Sequence, residues 1–310
     1  MKKISAYIIE IILVVLIISM IIFVGVLVYA HVQANFVEVE AVPKPPTDTV
    51  TLTNGYDYHI ADYLAVNDAN PTPLVLLHPF DSRGSAVFDD QWIGNLRQNF
   101  RVIVPDMLGF GYAERVTESG AHYSYASQAA AVVEMLDTLG VTTVDILGHG
   151  YGGAVAAQLA LDYPERVRRL VFVAPDIYPR ETFNEIAWDV LTTAPAGMGR
   201  GFIFLSDGAG QQNPAEDARP FLIASDNSQA LFNAHRERDN ATLSQRLPSI
   251  IQPVAVMWSE GDSRVPVTFA ARFIAVTDAE TTLVLPEGTH YIYVDRQQEV
   301  NETLTDFLGQ

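Results

Sequence analysis

The stretch Val144-Asp145-Ile146-Leu147-Gly148-His149-Gly150-Tyr151-Gly152-Gly153-Ala154 limits what this chain can fold into more than any other. An apolar run of strand length stops at a Gly-rich turn, and small residues suited to a helix follow. Such a junction turns the backbone sharply at the end of a strand and presents the residue at its tip. Gly148 and Gly152 bracket the tip, and the tip itself is Gly150, which carries no side chain.

Composition sets the frame for that stretch. With 310 residues, 49% of them hydrophobic, the chain has apolar surface for one large domain or two small ones. The net charge of −18 excludes nucleic acid as an expected partner, because a phosphate backbone needs a basic surface. The absence of Cys excludes disulfides, thiolate nucleophiles and Cys-ligated zinc, and no metal or cofactor is expected. Lys2, Lys3 and Lys44 are the only lysines, so the body of the protein draws its positive charge from Arg.

Residues 11–30 carry no charge, and only Ser19 and Tyr29 bring a hydroxyl. At helical rise this length matches the ~30 Å hydrocarbon core of a bilayer. Residues 1–34 therefore read as a cytoplasmic stub and a transmembrane signal-anchor helix. Lys2 and Lys3 precede the span while Glu38 and Glu40 follow it, so the positive-inside rule leaves the N-terminus in the cytoplasm and the body outside. Val28-Tyr29-Ala30 loosely fits a cleavage site, which keeps secretion after signal-peptide removal as the alternative. Residues 35–47, with Pro43, Pro45 and Pro46, read as a tether to a domain over 48–310.

The domain opens with alternating residues around Asn54-Gly55, which predicts a hairpin of strands at 49–53 and 56–63. From Pro73 short continuous apolar runs take over: Leu74–Leu77, Val102–Val104, Val144–Leu147, Leu170–Val173, Val254–Trp258 and Thr282–Leu285. Stretches of helical length alternate with them, at Ala126–Leu139, Gly153–Asp162, Val267–Val276 and Tyr291–Leu308. Strands buried on both faces and alternating with helices predict an α/β fold, with a mostly parallel sheet of about eight strands. One interval, about 177–250, breaks the rhythm. Its helical patches, Glu181–Leu191, Ala215–Ala224 and Ser228–Arg238, flank a Gly-rich middle, so it reads as a lid or as an elaborated crossover.

Six separate stretches, in order, give the chain a resemblance to the α/β-hydrolase superfamily, in its lipase, esterase and epoxide-hydrolase-like branch. Leu76-Leu77-His78-Pro79-Phe80 is similar to the family's His-Gly segment, and Val104-Pro105-Asp106-Met107-Leu108-Gly109-Phe110-Gly111 to its Pro-Asp-x-x-Gly-x-Gly turn. The Gly148–Gly152 turn resembles its G-x-S-x-G nucleophile elbow. Tyr163–Leu170 resembles the run into the sixth strand, Pro253–Asp262 the strand and loop that carry the acid, and Glu287-Gly288-Thr289-His290 the loop that carries the histidine.

The resemblance implies roles. In this family an acid orients a histidine, which deprotonates a serine that attacks an acyl carbon. Asp262 takes the acid position, with Asp176 as the alternative that other branches use, and His290 takes the histidine position. Two backbone amides form the oxyanion hole in such folds, and here they map to Tyr151 and Phe80. The nucleophile position is Gly150, so the acyl-enzyme route is expected to be closed. His149 is expected to point away from the site by strand alternation, and Ser82, Ser85 and Ser259 would each need a rebuilt geometry to substitute.

Three readings remain open on the sequence. The protein is a non-catalytic binding or scaffold member with a remnant His290–Asp262 pair. Otherwise it is a serine-independent enzyme in which that pair acts as general base on water or substrate. The third is an ordinary ester hydrolase carrying a Ser-to-Gly change at 150. Phe183, Trp188, Phe202, Phe204, Phe221 and Phe232 in the lid interval favour a small apolar or ester-like ligand, or simply pack the lid. Asn240-Ala241-Thr242 and Asn301-Glu302-Thr303 fit a glycosylation sequon.

Overall fold

The computed structural model describes residues 2–36, 49–67, 71–118, 120–179 and 225–309. The tether and most of the lid interval, with Phe183, Trp188, Phe202, Phe204 and Phe221, lie outside the described residues.

Eight strands form one sheet: β1 (Thr49–Thr51), β2 (Asp57–Tyr63), β3 (Pro73–Leu77), β4 (Arg101–Asp106), β5 (Val144–His149), β6 (Val167–Val173), β7 (Val254–Ser259) and β8 (Thr281–Leu285). Their order across the sheet is β1-β2-β4-β3-β5-β6-β7-β8. β1 and β2 form the antiparallel hairpin at one edge, β2 runs antiparallel to β4, and every later pair is parallel. Reversal of the winding direction at β3 leaves a crevice at the carboxyl ends of the central strands, where ligands bind in open α/β sheets.

Alternate residues of the strands feed two cores. Val75, Leu77, Ile103, Ile146, Phe172, Val256 and Trp258 face one, shared with α3 (Tyr125–Thr138) and α4 (Tyr151–Asp162). Leu74, Leu76, Val102, Val104, Leu147, Val171, Val173 and Met257 face the other, shared with α2 (Asp90–Leu96) and the C-terminal helices. That two-sided burial is why the strand runs are continuous rather than alternating.

Local chemistry adjusts several expected boundaries. α2 was not legible as a helix, being short and interrupted by Gly94; the Asp89 carboxylate caps it, accepting from Trp92 N–H at 2.7 Å. The helix expected over Val267–Val276 begins as a 3₁₀ turn, Val267–Phe269, and continues as α7 (Ala270–Thr277). The helix expected over Tyr291–Leu308 is two, α8 (Ile292–Asp295) and α9 (Gln297–Leu308), broken at Arg296, whose φ/ψ of −131/46 is not helical. In the lid interval α5 (Ser225–Arg236) and α6 (Asn240–Arg246) return the chain to the sheet.

At the N-terminus α1 runs Lys2–Phe36, and Ile11 to Phe23 present large apolar side chains to the exterior. Among the described residues no helix is long and apolar enough to cross a membrane. The span expected over 11–30 lies partly outside the described side chains.

Candidate active site

The site is built at the carboxyl ends of β3, β5, β7 and β8, starting with the turn between β5 and α4. Gly150 holds φ 54 and ψ −115, a conformation that favours glycine. Its N–H donates to Val173 O at 3.0 Å and its carbonyl accepts from Asp176 N–H at 2.9 Å, so the tip is pinned to the exit of β6. The flanking glycines are there for space. A Cβ at Gly148 would lie 2.6 Å from Gly152 O, and one at Gly152 would lie 2.2 Å from Leu77 O. A Cβ at Gly150 would find Pro79 Cβ at 3.2 Å, His290 Nε2 at 3.3 Å and His290 Cε1 at 3.6 Å as its nearest atoms. The imidazole therefore faces the place where a side chain at 150 would stand.

His290 sits in the loop between β8 and α8, and its Nδ1 pairs with Asp262 Oδ2 at 2.7 Å. Both side chains are buried. Asp262 follows β7, and its other oxygen accepts from Arg264 N–H and Val265 N–H, each at 2.8 Å. Ser259 fixes the same loop: its hydroxyl donates to Gly288 O at 2.7 Å and accepts from Gly261 N–H at 3.1 Å. On the far side Thr289 N–H donates to Asp295 Oδ2 at 2.6 Å and Tyr291 N–H donates to Thr289 Oγ1 at 3.2 Å, so the residues either side of His290 are held. Asp176, the other candidate acid, does not reach His290; it pairs with Arg238 Nη1 at 3.1 Å.

The rings of Phe80 and Tyr151 meet edge to face, their centroids 5.7 Å apart. Pro79 stiffens the loop before Phe80. His78, fully buried, ties it down: Nε2 accepts from Met107 N–H at 3.1 Å, which leaves the proton on Nδ1 to donate to Pro79 O at 2.8 Å. Burial holds the His78 imidazole below its usual range, so this neutral tautomer persists at ordinary pH.

One expectation is corrected. His149 does not point away from the site; its ring centroid lies 4.2 Å from that of His290. Alternation does turn His149 away from the α4 side, but the His290 loop folds down over that same face. Tyr293 OH meets His149 Nδ1 at 3.2 Å, and burial, followed by the neighbouring His290, depresses the His149 imidazole well below its usual range. His149 is thus a neutral platform under His290.

A buried cluster beside the site was not singled out from the sequence. Asp81 accepts from Arg83 Nε at 3.0 Å, Arg83 Nη2 at 2.9 Å and Tyr291 OH at 2.8 Å. Arg264 lies over the Tyr291 ring at 5.5 Å. Burial alone would raise the Asp81 carboxyl, but the Arg83 guanidinium outweighs it and pulls the group down to about 2. A carboxylate depressed in the folded state adds stability that is complete above its unfolded value near 3.9 and is lost as pH falls toward 2. We expect unfolding at pH 6 to show Asp81→Asn destabilised by about 2 kcal/mol relative to wild type, and the gap to close by pH 2. A gap independent of pH would refute the assignment. Among the described residues no group of three or more His, Asp or Glu side chains is placed to hold a metal.

The fold, the Gly-rich turn and the buried acid–histidine pair together match one class. Residues 72–204 fit the family model described as alpha/beta hydrolase fold. "Putative carbamate hydrolase RutD" of Variovorax paradoxus is 30% identical over 240 residues, covering 73% of this chain and 88% of that protein. The chain belongs to the α/β-hydrolase fold family. A 2-hydroxymuconate semialdehyde hydrolase of Pseudomonas putida is 49% identical over 93 residues, but the match covers 29% of this chain and 32% of that protein. The chain thus matches about a third of that relative's length. An esterase of Exiguobacterium antarcticum superposes with a TM-score of 0.67 at 20% identity, covering 84% of this chain and 99% of that one, a likeness of fold.

Proposed function

We propose that this chain is a membrane-anchored α/β-hydrolase-fold protein that binds a small apolar or ester-like carbonyl ligand without forming an acyl-enzyme. The carrying observation is Gly150 itself. It occupies the elbow tip 3.3 Å (measured from the Cβ position) from His290 Nε2, and glycine has no atom that can be acylated. Relatives named as hydrolases of a semialdehyde and of carbamate favour a small carbonyl compound as the ligand class. The test compares wild-type full chain with Gly150→Ser on p-nitrophenyl esters of several chain lengths, and by labelling with a fluorophosphonate. An unlabelled wild type beside a labelled serine variant supports the proposal; a labelled wild type refutes it.

The intact pair, His290 Nδ1 to Asp262 Oδ2 at 2.7 Å, favours a second reading in which chemistry proceeds without serine. His290 Nε2 takes a proton from water, the hydroxide oxygen bonds to the carbonyl carbon, and the oxyanion collapses. The departing alcohol regains that proton from the imidazole. Ester hydrolysis by wild type that disappears in His290→Ala supports this reading, and an inactive wild type rules it out.

Anchoring rests on the apolar residues 11–30 behind Lys2 and Lys3, which places the domain outside the cytoplasm. We expect the full chain to stay in the membrane pellet through alkaline carbonate extraction. Its release into the supernatant, or a mature N-terminus near His31, would favour the secreted form instead.

A further inference from the structure

Asp81, Arg83, Tyr291 and Arg264 form one cluster beside His290, drawn from three separate loops. Asp81 lies in the loop after β3, one residue beyond Phe80. Tyr291 follows His290 directly. Arg264 lies in the loop after β7, two residues beyond Asp262. The Tyr291 hydroxyl donates to Asp81 Oδ2 at 2.8 Å across 210 residues, a hydrogen bond that joins the Phe80 loop to the His290 loop. Arg83 holds the same carboxylate in a two-point grip, through Nε at 3.0 Å and Nη2 at 2.9 Å. The Asp81 carboxylate in turn organises its own loop, accepting from Arg83 N–H at 3.0 Å, while its carbonyl accepts from Gly84 N–H at 2.9 Å. The Tyr291 ring stands edge-on to His290 at 5.5 Å and to His149 at 5.5 Å, with the Arg264 guanidinium over it. Asp81 is fully buried, so solvent does not compete for these bonds.

From this geometry we infer that Tyr291 is a positioning residue: its hydroxyl, through Asp81, fixes the Phe80 amide in register with the His290 imidazole. A carbonyl ligand must meet both groups at once, the amide at its oxygen and the imidazole at the attacking atom. A shift of about 1 Å between them is enough to lower turnover by up to about a hundredfold. The phenol is suited to this work because burial, followed by the adjacent Asp81 charge, raises it far above its usual range, so it remains a donor at every working pH. The inference rests on the proposed carbonyl site, but one of its two tests does not.

Tyr291→Phe removes one oxygen and keeps the ring contacts, so the fold is expected to survive. Introduced into the otherwise wild-type full chain, Tyr291→Phe should quicken hydrogen–deuterium exchange over peptides spanning 79–85 and 289–295 and leave β3 and β5 unchanged. Uniform quickening, or none, overturns the inference whether or not the protein turns over any ester. In the Gly150→Ser background, Tyr291→Phe should lower kcat by about tenfold or more while KM stays within about twofold. An unchanged kcat, or a loss expressed wholly in KM, overturns it as well. If the serine variant itself is inert, the carbonyl-site reading has failed, and the exchange experiment alone decides the role of Tyr291.

Discussion

Gly150→Ser is expected to raise ester hydrolysis over wild type by at least about a hundredfold and to make the chain react with fluorophosphonates. Removing the nucleophile from a complete triad costs about 10⁶ in kcat, with ~10³–10⁴ over water left to the oxyanion hole and binding. The groups that such a serine needs are preformed here. His290 Nε2 lies 3.3 Å from the Cβ position, and Nδ1 is already held by Asp262 at 2.7 Å. The nearest atom to that position is Pro79 Cβ at 3.2 Å, followed by the imidazole, so the new side chain needs shifts of a few tenths of an ångström. The change is not free. At φ 54 and ψ −115 a residue with a Cβ is strained by about 1–3 kcal/mol, so Tm should fall by several degrees while activity rises. Opposite signs for stability and activity are the signature to look for. A serine variant that folds yet neither labels nor turns over would show that the Phe80 and Tyr151 amides do not form an oxyanion hole.

Two residues further on, Gly152→Ala is expected to unfold the protein or to cost more than about 4 kcal/mol. The contrast lies in what each Cβ would meet. At Gly152 it would lie 2.2 Å from Leu77 O, 2.5 Å from Leu77 C and 2.6 Å from His78 O, all backbone. Leu77 has little room to yield, because it is fully buried and pairs with Gly148 of β5, which leads into the same turn. With total stabilities of about 5–15 kcal/mol, a loss of that size removes most of the folded population. Thermal unfolding alongside Gly94→Ala gives the scale. Nothing lies within 4 Å of a Cβ at Gly94, inside α2, so that change should be neutral or stabilise by up to about 1 kcal/mol. A Gly152→Ala protein with near-native Tm would mean that α4 stands further from β3 than described.

The sequence carried the fold because its information is local. Continuous Val- and Ile-rich runs such as Val144–Leu147 and Leu170–Val173 reveal burial on both faces, and the turn at Gly148–Gly152 reveals a strand meeting a helix at close range. Asp262 and His290 were legible for a related reason: each lies in a polar break directly after a recognisable strand. Between Asp262 and Asp176, order along the chain left the choice open, and packing decided it by giving Asp176 to Arg238 and Asp262 to His290.

What the sequence could not reveal depends on loops meeting across the sheet. Strand alternation correctly turned His149 off the α4 face, but did not say that the loop after β8 would fold over it. Tyr291 and Asp81 are unremarkable in their own segments; no periodicity links residues 210 apart, and a buried Asp-x-Arg looks like any exposed polar loop. By itself the sequence determined an α/β-hydrolase frame whose tip residue is glycine, since backbone conformation and alternate burial are written in neighbouring residues. Only the tertiary structure decided which acid, which ring and which hydroxyl surround that glycine, because those contacts come from separate loops brought together by the winding of the sheet.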